Sequence, residues 1–377
     1  MVFRALLLDA YRQLSAAKLF WLTLGLSAIV VLVFGSIGFN DEGMSLFFGL
    51  TQIESDLVNA GSPWARGLYI GIYSSFLVKI WLGWIATVLA LISTCTIFPE
   101  FVQGGSIELS ISKPISRLHL FFMKYAVSLS FVVLQVLLFC GGIFLCVGLR
   151  IGEWNWGIFY AIPIITVFYS YLFSVCVLVG MVTRSGITAL LITGLFWMGL
   201  MSAQGAETVL NRFVTEQKVT IERLEEGIVK ATEELTELES ESSTDMRIQR
   251  RKDRIESFQE DVDAAKVLFD KIDVWHQPVS WGLTALPKAG QTIGLLDRWL
   301  DDETGFDIAA LMRGDMQELE EVDEFDPTTY AARERETMRR LVEDYSERSL
   351  WYVVGTSLLF EGLILTLAAW YVCKKDF

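Results

Sequence analysis

The sequence predicts an all-α fold: a polytopic membrane protein with six transmembrane helices and a large extracytoplasmic helical hairpin (coiled coil) between the fifth and sixth spans. Six stretches are apolar over about the 20 residues that a helix needs to cross a bilayer. Residues 205–349 instead hold 35 of the 45 acids and 19 of the 31 bases and contain heptad repeats. The expected domains are 1–204 (an amphipathic N-terminal helix and spans one to five), 205–349 (the acidic coiled-coil insert) and 350–377 (the sixth span and a cytoplasmic tail).

The apolar stretches define the spans, which are Leu19–Gly38, Ile80–Phe98, Ala126–Gly148, Ile158–Val182, Ile187–Ala203 and Leu350–Cys373. A single helix from Arg66 to Phe98 would be about 50 Å long at 1.5 Å per residue, too long for one perpendicular crossing. Residues 62–78 are therefore interpreted as an interfacial or re-entrant piece that leads into the second span. The amphipathic character of the first residues favours an uncleaved anchor over a signal peptide.

The charges of the connecting loops predict the orientation. The segment before span one, the loops after spans two and four, and the C-terminal tail are each net positive, whereas the loops after spans one and three are acidic or neutral. By the positive-inside rule both termini are cytoplasmic, and the insert at 205–349 is extracytoplasmic. The expected location is the cell (inner) membrane.

The insert predicts two long amphipathic helices. Apolar residues recur at alternating spacings of three and four over 221–238 and resume heptad positions over 248–272, where Arg251 is the one charged exception. A polar break at 239–245 separates them, so an antiparallel hairpin with arms on the order of 40–50 Å is expected. The hairpin either contacts an outer partner or only stiffens or dimerises the molecule. From Pro327 a charged helix is expected to run straight into the sixth span.

Composition and motifs exclude several functions. The chain has no P-loop, no H-E-x-x-H and no G-x-S-x-G motif, and it has only two histidines. The five cysteines lie in apolar runs, so neither a disulfide scaffold nor a metal site is expected. Nucleic acid is excluded because there is no basic stripe. We expect no catalytic residues, no metal and no cofactor on this chain.

The second cytoplasmic loop, Glu100–Arg117, carries the most informative motif. A glycine turn at Gly104–Gly105 leads into a short amphipathic helix, which Pro114 ends before a basic Ser-Arg entry to the next span. The residues Gly105–Leu109 and Lys113–Arg117 resemble the pattern G-[ST]-[LI]-E-L, followed by [KQ]-P-[IV]-S-R, of the permease subunits of type-two ABC exporters. The N-terminal amphipathic segment and the ending Lys374–Phe377 are similar to that family too, but the 205–349 insert is not.

The resemblance implies a membrane permease that lacks its own ATPase. Its partners would be a separate ATP-binding-cassette subunit, which holds ATP and Mg²⁺, and a second permease copy or paralogue. In that arrangement the segment that includes Glu100, Gly104, Gly105, Glu108, Lys113, Pro114 and Arg117 couples the ATPase to the spans. Glu100, Glu108 and Arg117 make docking contacts, and the glycines let the segment pivot. The alternative is a non-transporting anchor or sensor whose coiled-coil arm recruits cell-envelope proteins.

Glu361 lies about midway along the sixth span. An ionisable group at that depth costs at least a few kcal/mol unless it is paired or hydrated. Two interpretations remain open: Glu361 and Gln135 line a translocation path, or Glu361 is a structural partner of Gln135 or of hydroxyl groups on a neighbouring helix. The apolar spans suit a lipidic or amphiphilic substrate and simple contact with membrane lipid equally well.

Overall fold

A computed structural model of the chain describes residues 18–40, 43–54, 63–102, 116–152, 154–240, 245–304 and 330–374. About 91% of these residues are helical. Five helices in the described ranges are long and apolar enough to cross a membrane, and a shorter apolar helix covers Phe20–Gly35. The structure is therefore mostly helical and is compatible with the polytopic membrane protein that the sequence predicts.

The helices have the following bounds. They are α1 (Lys18–Gly35), α2 (Pro63–Gly71, continued by the π-helical Ile72–Ala86 and by Thr87–Thr94), α3 (Ile97–Val102), α4 (Arg117–Ile151), α5 (Ala161–Thr183, after the 3-10 turn Trp156–Tyr160), α6 (Gly186–Ser240), α7 (Asp245–Thr284), α8 (Ala289–Thr304), α9 (Tyr330–Glu347) and α10 (Thr356–Lys374, after the π-helical Trp351–Gly355). Local residues determine where α4 begins and ends. Ser116 caps its start by accepting a hydrogen bond from the His119 backbone N–H, and Gly152 ends it with a left-handed φ of 81°.

The described part of 62–78 is not a separate piece. Helical backbone runs without interruption from Pro63 to Thr94, which differs from the predicted break before the second span. Two fully buried tyrosines attach this part of α2 to its neighbours, because Tyr69 donates to the Phe34 carbonyl and Tyr73 donates to the Ile158 carbonyl. The segment is therefore packed among other helices.

A small sheet follows α1, which the all-α prediction did not include. Its strands β1 (Gly38–Asn40), β2 (Gly43–Leu46) and β3 (Thr51–Glu54) pair antiparallel in that order. The connection between β2 and β3 contains Phe47 and Phe48 with φ of 52° and 59°, which is uncommon for bulky side chains. The Arg150 guanidinium lies 5.4 Å from the Phe48 ring and also donates to the Gly35 carbonyl at 2.9 Å. Contacts from the end of α4 therefore accompany the strained turn.

The chain divides into two compact units. Unit 1 comprises Met1–Gly199, Pro287–Met312 and Val353–Phe377, and unit 2 comprises Leu200–Leu286 and Arg313–Tyr352. This division differs from the predicted boundaries chiefly at α8, which belongs to unit 1 rather than to the insert. The reason is its apolar face: Ala289, Leu295 and Leu296 are buried in unit 1.

The apolar helices of unit 1 alternate in direction. α1 and α4 run parallel, since Phe20 packs on Phe131 and, further along both helices, Gly35 meets Arg150. The remaining directions follow from contacts at two levels. α2 and α5 are parallel, because Tyr73 contacts Ile158 and Thr94 contacts Tyr169. α4 and α5 are antiparallel, because Tyr125 contacts Ser170 and Phe144 contacts Phe159. α2 and α6 are antiparallel, because Trp84 contacts Trp197 and Thr96, just after α2, contacts Gly186. Helices that follow one another in sequence thus run in opposite directions, as successive membrane crossings do.

Unit 2 contains the predicted antiparallel helix pair. Leu224 and Ala231 on α6 and Val262 and Ala265 on α7 are buried, and the other heptad positions, including Arg251, are half-buried. Contacts that pair late residues of one helix with early residues of the other set the direction, and they are Arg251–Glu234, Lys252–Glu239, Lys266–Glu225 and Lys218–Phe269. In the structure, the buried positions of this helix pair fall at the heptad spacing.

The charged helix α9 packs on α6 in unit 2. Arg212 pairs with Glu334 at 2.7 Å and Arg340 pairs with Glu222. At the end of this helix, residues 348–349 interrupt the helical backbone before the last apolar helix begins. The prediction that α9 runs straight into the sixth span is wrong for this reason.

Candidate functional site

Two aromatic contacts join the helices on either side of the predicted coupling segment, Glu100–Arg117. On the near side, the Phe98 ring in α3 lies 5.5 Å from the Phe121 ring in α4 and 6.1 Å from the Phe173 ring in α5. Phe98, Phe121 and Phe173 are each at most 1% exposed. The helices that enter and leave the segment are therefore packed on each other and on α5.

A second set of contacts involves the last turn of α3. The Lys124 ammonium lies 4.6 Å from the centre of the Phe101 ring. A methyl group at Gly180 would come 3.1 Å from Cγ of Pro99, so α3 and α5 approach closely there. Glu100 is exposed, and Arg117 is half-buried. The predicted coupling residues Gly104, Gly105, Glu108, Lys113 and Pro114 lie outside the described residues.

The same end of unit 1 is rich in bases. The described bases at the ends of α1, α4 and α5 there are Lys18, Arg117, Lys124 and Arg184, with Glu100 as the acid beside them. At the other ends of the same helices the described bases are fewer, and Arg150 is engaged with Gly35. The predicted orientation rests on the charges of the same loops and stays a prediction.

The second candidate site surrounds Glu361, which is 8% exposed in the second turn of α10. The Tyr125 hydroxyl of α4 donates to Oε1 at 2.8 Å, and Oγ of Ser170 in α5 lies 2.7 Å from Oε2. The carboxyl group thus joins three helices within hydrogen-bond distance. Of the two interpretations made from the sequence, hydroxyl groups of neighbouring helices are its described partners.

Gln135 lies elsewhere in unit 1. It is ten residues after Tyr125 in α4, about 15 Å along the axis. There it lines a small cavity with Thr23, Ser27 and Thr87. The structure does not bring Gln135 and Glu361 together, and their assignment to a translocation path stays a prediction.

Sequence reasoning missed the polar groups next to Glu361. Lys288, which precedes α8, is 5% exposed; its Nζ donates to Thr356 Oγ1 at 2.6 Å and its backbone N–H donates to Ser357 Oγ at 2.9 Å. Ser357 lies one turn before Glu361 on the buried face of α10. The apolar spacing of α8 was the available signal in the sequence. It indicates that one face of α8 is buried in the bundle, and Lys288, which directly precedes α8, is then buried close to α10.

No protein-family model, curated protein or solved structure matches the chain. Among the described residues, no group of three or more His, Cys, Asp or Glu side chains could hold a metal ion. The residues of the two candidate sites are therefore the basis for a function.

Proposed function

We propose that the chain is the membrane permease subunit of an ATP-binding-cassette exporter, with Glu100–Arg117 as the segment on which a separate ATPase subunit acts. The observation that carries this proposal is the sequence of that segment, Gly105–Leu109 and Lys113–Arg117, between two helix ends that are packed together at the base-rich end of unit 1. A partner that pushes on the segment would push on α3 and α4 at once. The chain itself has no nucleotide-binding motif, so ATP and Mg²⁺ belong to the partner.

The contacts of α3 support a mechanical route from this segment into the bundle. Pro99 lies against Gly180, and Phe98 lies against Phe173, both on α5. Ser170, three residues before Phe173, contacts Glu361 on α10. Displacement of α3 by ATP-driven closure of the partner would therefore shift the balance between two arrangements of α5 and α10, which is a population shift driven by ATP binding.

The proposed orientation follows from the charge distribution, and the proposed partners follow from the resemblance. The base-rich end of unit 1, with both termini, faces the cytoplasm, and residues 205–349 are extracytoplasmic. A second copy of the chain or a paralogue completes the transport path, as the resemblance implies. The apolar spans suit a lipidic or amphiphilic substrate and simple contact with membrane lipid equally well. We propose the hairpin of α6 and α7 as the surface for an extracytoplasmic partner.

A site-specific photo-crosslinker tests the docking segment. We expect the full chain carrying a photoreactive amino acid in place of Glu108 to crosslink, in its native membrane, to a protein with Walker ATPase motifs. The matched control carries the same amino acid in place of Asp253, in the exposed part of α7. It should not crosslink to that ATPase, because the proposal places it on the opposite side of the membrane.

The double variant Glu108→Ala, Arg117→Ala adds a functional test. It should insert normally and lose coupling to the partner's ATPase activity. Normal coupling in this variant would reject the docking assignment. Crosslinks from Asp253 to envelope proteins, with none from Glu108 to an ATPase, would instead favour the anchor or sensor function.

A further inference from the structure

The Glu361 cluster contains three short contacts between oxygen atoms. Oγ of Ser170 lies 2.7 Å from Oε2 of Glu361 and 2.8 Å from the Val167 carbonyl oxygen. The Tyr125 hydroxyl lies 2.8 Å from Oε1 of Glu361. Each of these three distances is in the range of an O–H···O hydrogen bond, which has one hydrogen between its two oxygens, whereas the 3.2 Å from the Tyr125 hydroxyl to the Ser170 carbonyl oxygen is beyond that range.

Two hydroxyl groups supply only two of these three hydrogens. Ser170 and Tyr125 each carry one O–H, and the Val167 carbonyl carries none. With an ionised Glu361, one of the three contacts has no hydrogen and places two acceptors against each other. A hydrogen on Oε2 completes the set: Glu361 donates to Ser170, Ser170 donates to the Val167 carbonyl, and Tyr125 donates to Oε1.

We infer that Glu361 is a proton-binding site, occupied on Oε2 at neutral pH, whose proton holds α10 against α4 and α5. Release transfers that proton to water and leaves the carboxylate. The Ser170 hydrogen then turns from the Val167 carbonyl to Oε2, while the carbonyl keeps its hydrogen bond from the helix backbone. The ionised group would be stable only after water reaches it, because an unhydrated and unpaired charge at this depth is strongly unfavourable.

The groups that face Glu361 from each packed element are mostly neutral hydroxyls. They are Tyr125 from α4, Ser170 and Tyr171 from α5, and Ser357 on α10 itself, and α6 places the Phe196 ring on Phe360. Lys288, at the start of α8, is the charged group, and Thr356 and Ser357 hold it one turn away along α10. The Tyr171 hydroxyl is buried with no hydrogen-bond partner in the described part of the chain. It lies near Thr292 of α8 and Ser357 of α10.

Infrared difference spectroscopy on the full chain in lipid nanodiscs tests the site directly. At pH 7 exposed carboxyl groups are ionised, so a carbonyl stretch of a protonated carboxyl group reports a buried acid. We expect this band in the wild type, its loss in Glu361→Gln, and no change in Glu100→Gln, which alters an exposed carboxylate. The band should shift in D₂O and disappear at alkaline pH as the proton leaves.

A second variant keeps the test decisive if Glu361→Gln does not fold. Ser170→Ala retains Glu361 and removes the acceptor of its proton, so the band should remain and change frequency. Spectra without the band at pH 7, or a band that Ser170→Ala leaves unchanged, would overturn the assignment. A band that neither shifts in D₂O nor responds to alkaline pH would overturn the exchange of the proton. None of these results depends on the proposed ATPase partner.

Discussion

Single residues set how closely the helices of unit 1 approach. Gly142 in α4 is an example, since a methyl group there would come 2.9 Å from Cγ1 of Val31 in α1. Its neighbour Gly141 has no atom within 4 Å of the same position. The two adjacent glycines therefore have different roles: Gly141 has room for a side chain, whereas Gly142 is needed for close contact with α1.

We predict that Gly142→Ala destabilises the protein by about 1–3 kcal/mol, the usual cost of overpacking, whereas Gly141→Ala does not. The unfolding midpoint in a detergent-denaturant titration measures the difference. Adding Val31→Ala removes the methyl groups that cause the clash and should recover part of the loss. Equal stability of the two single variants would show that α1 and α4 do not pack at Gly142.

At the scale of elements, periodicity predicts contacts that are local and fails for contacts between distant segments. The heptad spacing identified the hairpin seam down to Arg251, which pairs with Glu234. The hydroxyl partners of Glu361 come from residues 236 and 191 positions away, and no pattern in one helix indicates them. β1, with three residues, and β2 and β3, with four each, are too short for a period of two to be recognised.

The seam gives a matched pair of substitutions in α6. Leu224 is 3% exposed and Val229 is 57% exposed. Leu224→Ala should destabilise the hairpin by about 2–5 kcal/mol because it leaves a cavity, and Val229→Ala should change stability by less than about 0.5 kcal/mol. Trypsin cleavage among Arg247, Arg250 and Arg251 reports opening of the helix pair. Equal digestion of the two variants would contradict the seam.

Glu336 makes the contact of α9 with α6 depend on pH. The hydrogen bond from Arg339, opposed by burial and helped by Arg340, lowers the pKa of Glu336 to about 2. Arg223 of α6 lies 3.7 Å from the same carboxylate. A carboxyl group whose pKa is lower in the folded state stabilises it above the unfolded pKa of about 4.3, and this stabilisation is lost as the pH falls toward 2.

The expected result is a difference in thermal unfolding midpoint between the wild type and Glu336→Gln that is full at pH 6 and closes as the pH falls to about 2. Circular dichroism measures the midpoint. Glu343→Gln is the control, because its side chain is 53% exposed and pairs with the same Arg339, and exposed pairs contribute little. A constant difference across this range would show that Glu336 is not ionised in the contact.

For the whole molecule, the sequence indicates where the charges lie, and the structure shows what the helices do with them. The alternating directions of α4 and α5 place Arg117 and Arg184 at corresponding helix ends. The length of α8 did not indicate that it belongs to this unit, because its 16 residues are fewer than a span needs, and its apolar spacing was the one available signal. Membership in unit 1 comes from its buried face, which is a property of the folded chain.

The proposed orientation makes a prediction that one labelling experiment can reject. Cys373 is an exposed native cysteine at the end of α10, beside the basic tail, whereas Cys95, Cys140 and Cys176 are buried. A membrane-impermeant maleimide should therefore label Cys373 only after the inner membrane is permeabilised. It should label an added Asp253→Cys in intact cells, since the hairpin is placed outside. The variant Cys373→Ser identifies the signal that comes from the native cysteine. Labelling of Cys373 and of Asp253→Cys from the same side of the membrane would contradict the extracytoplasmic location of the insert. It would also contradict the proposal that the coupling segment and the hairpin lie on opposite sides.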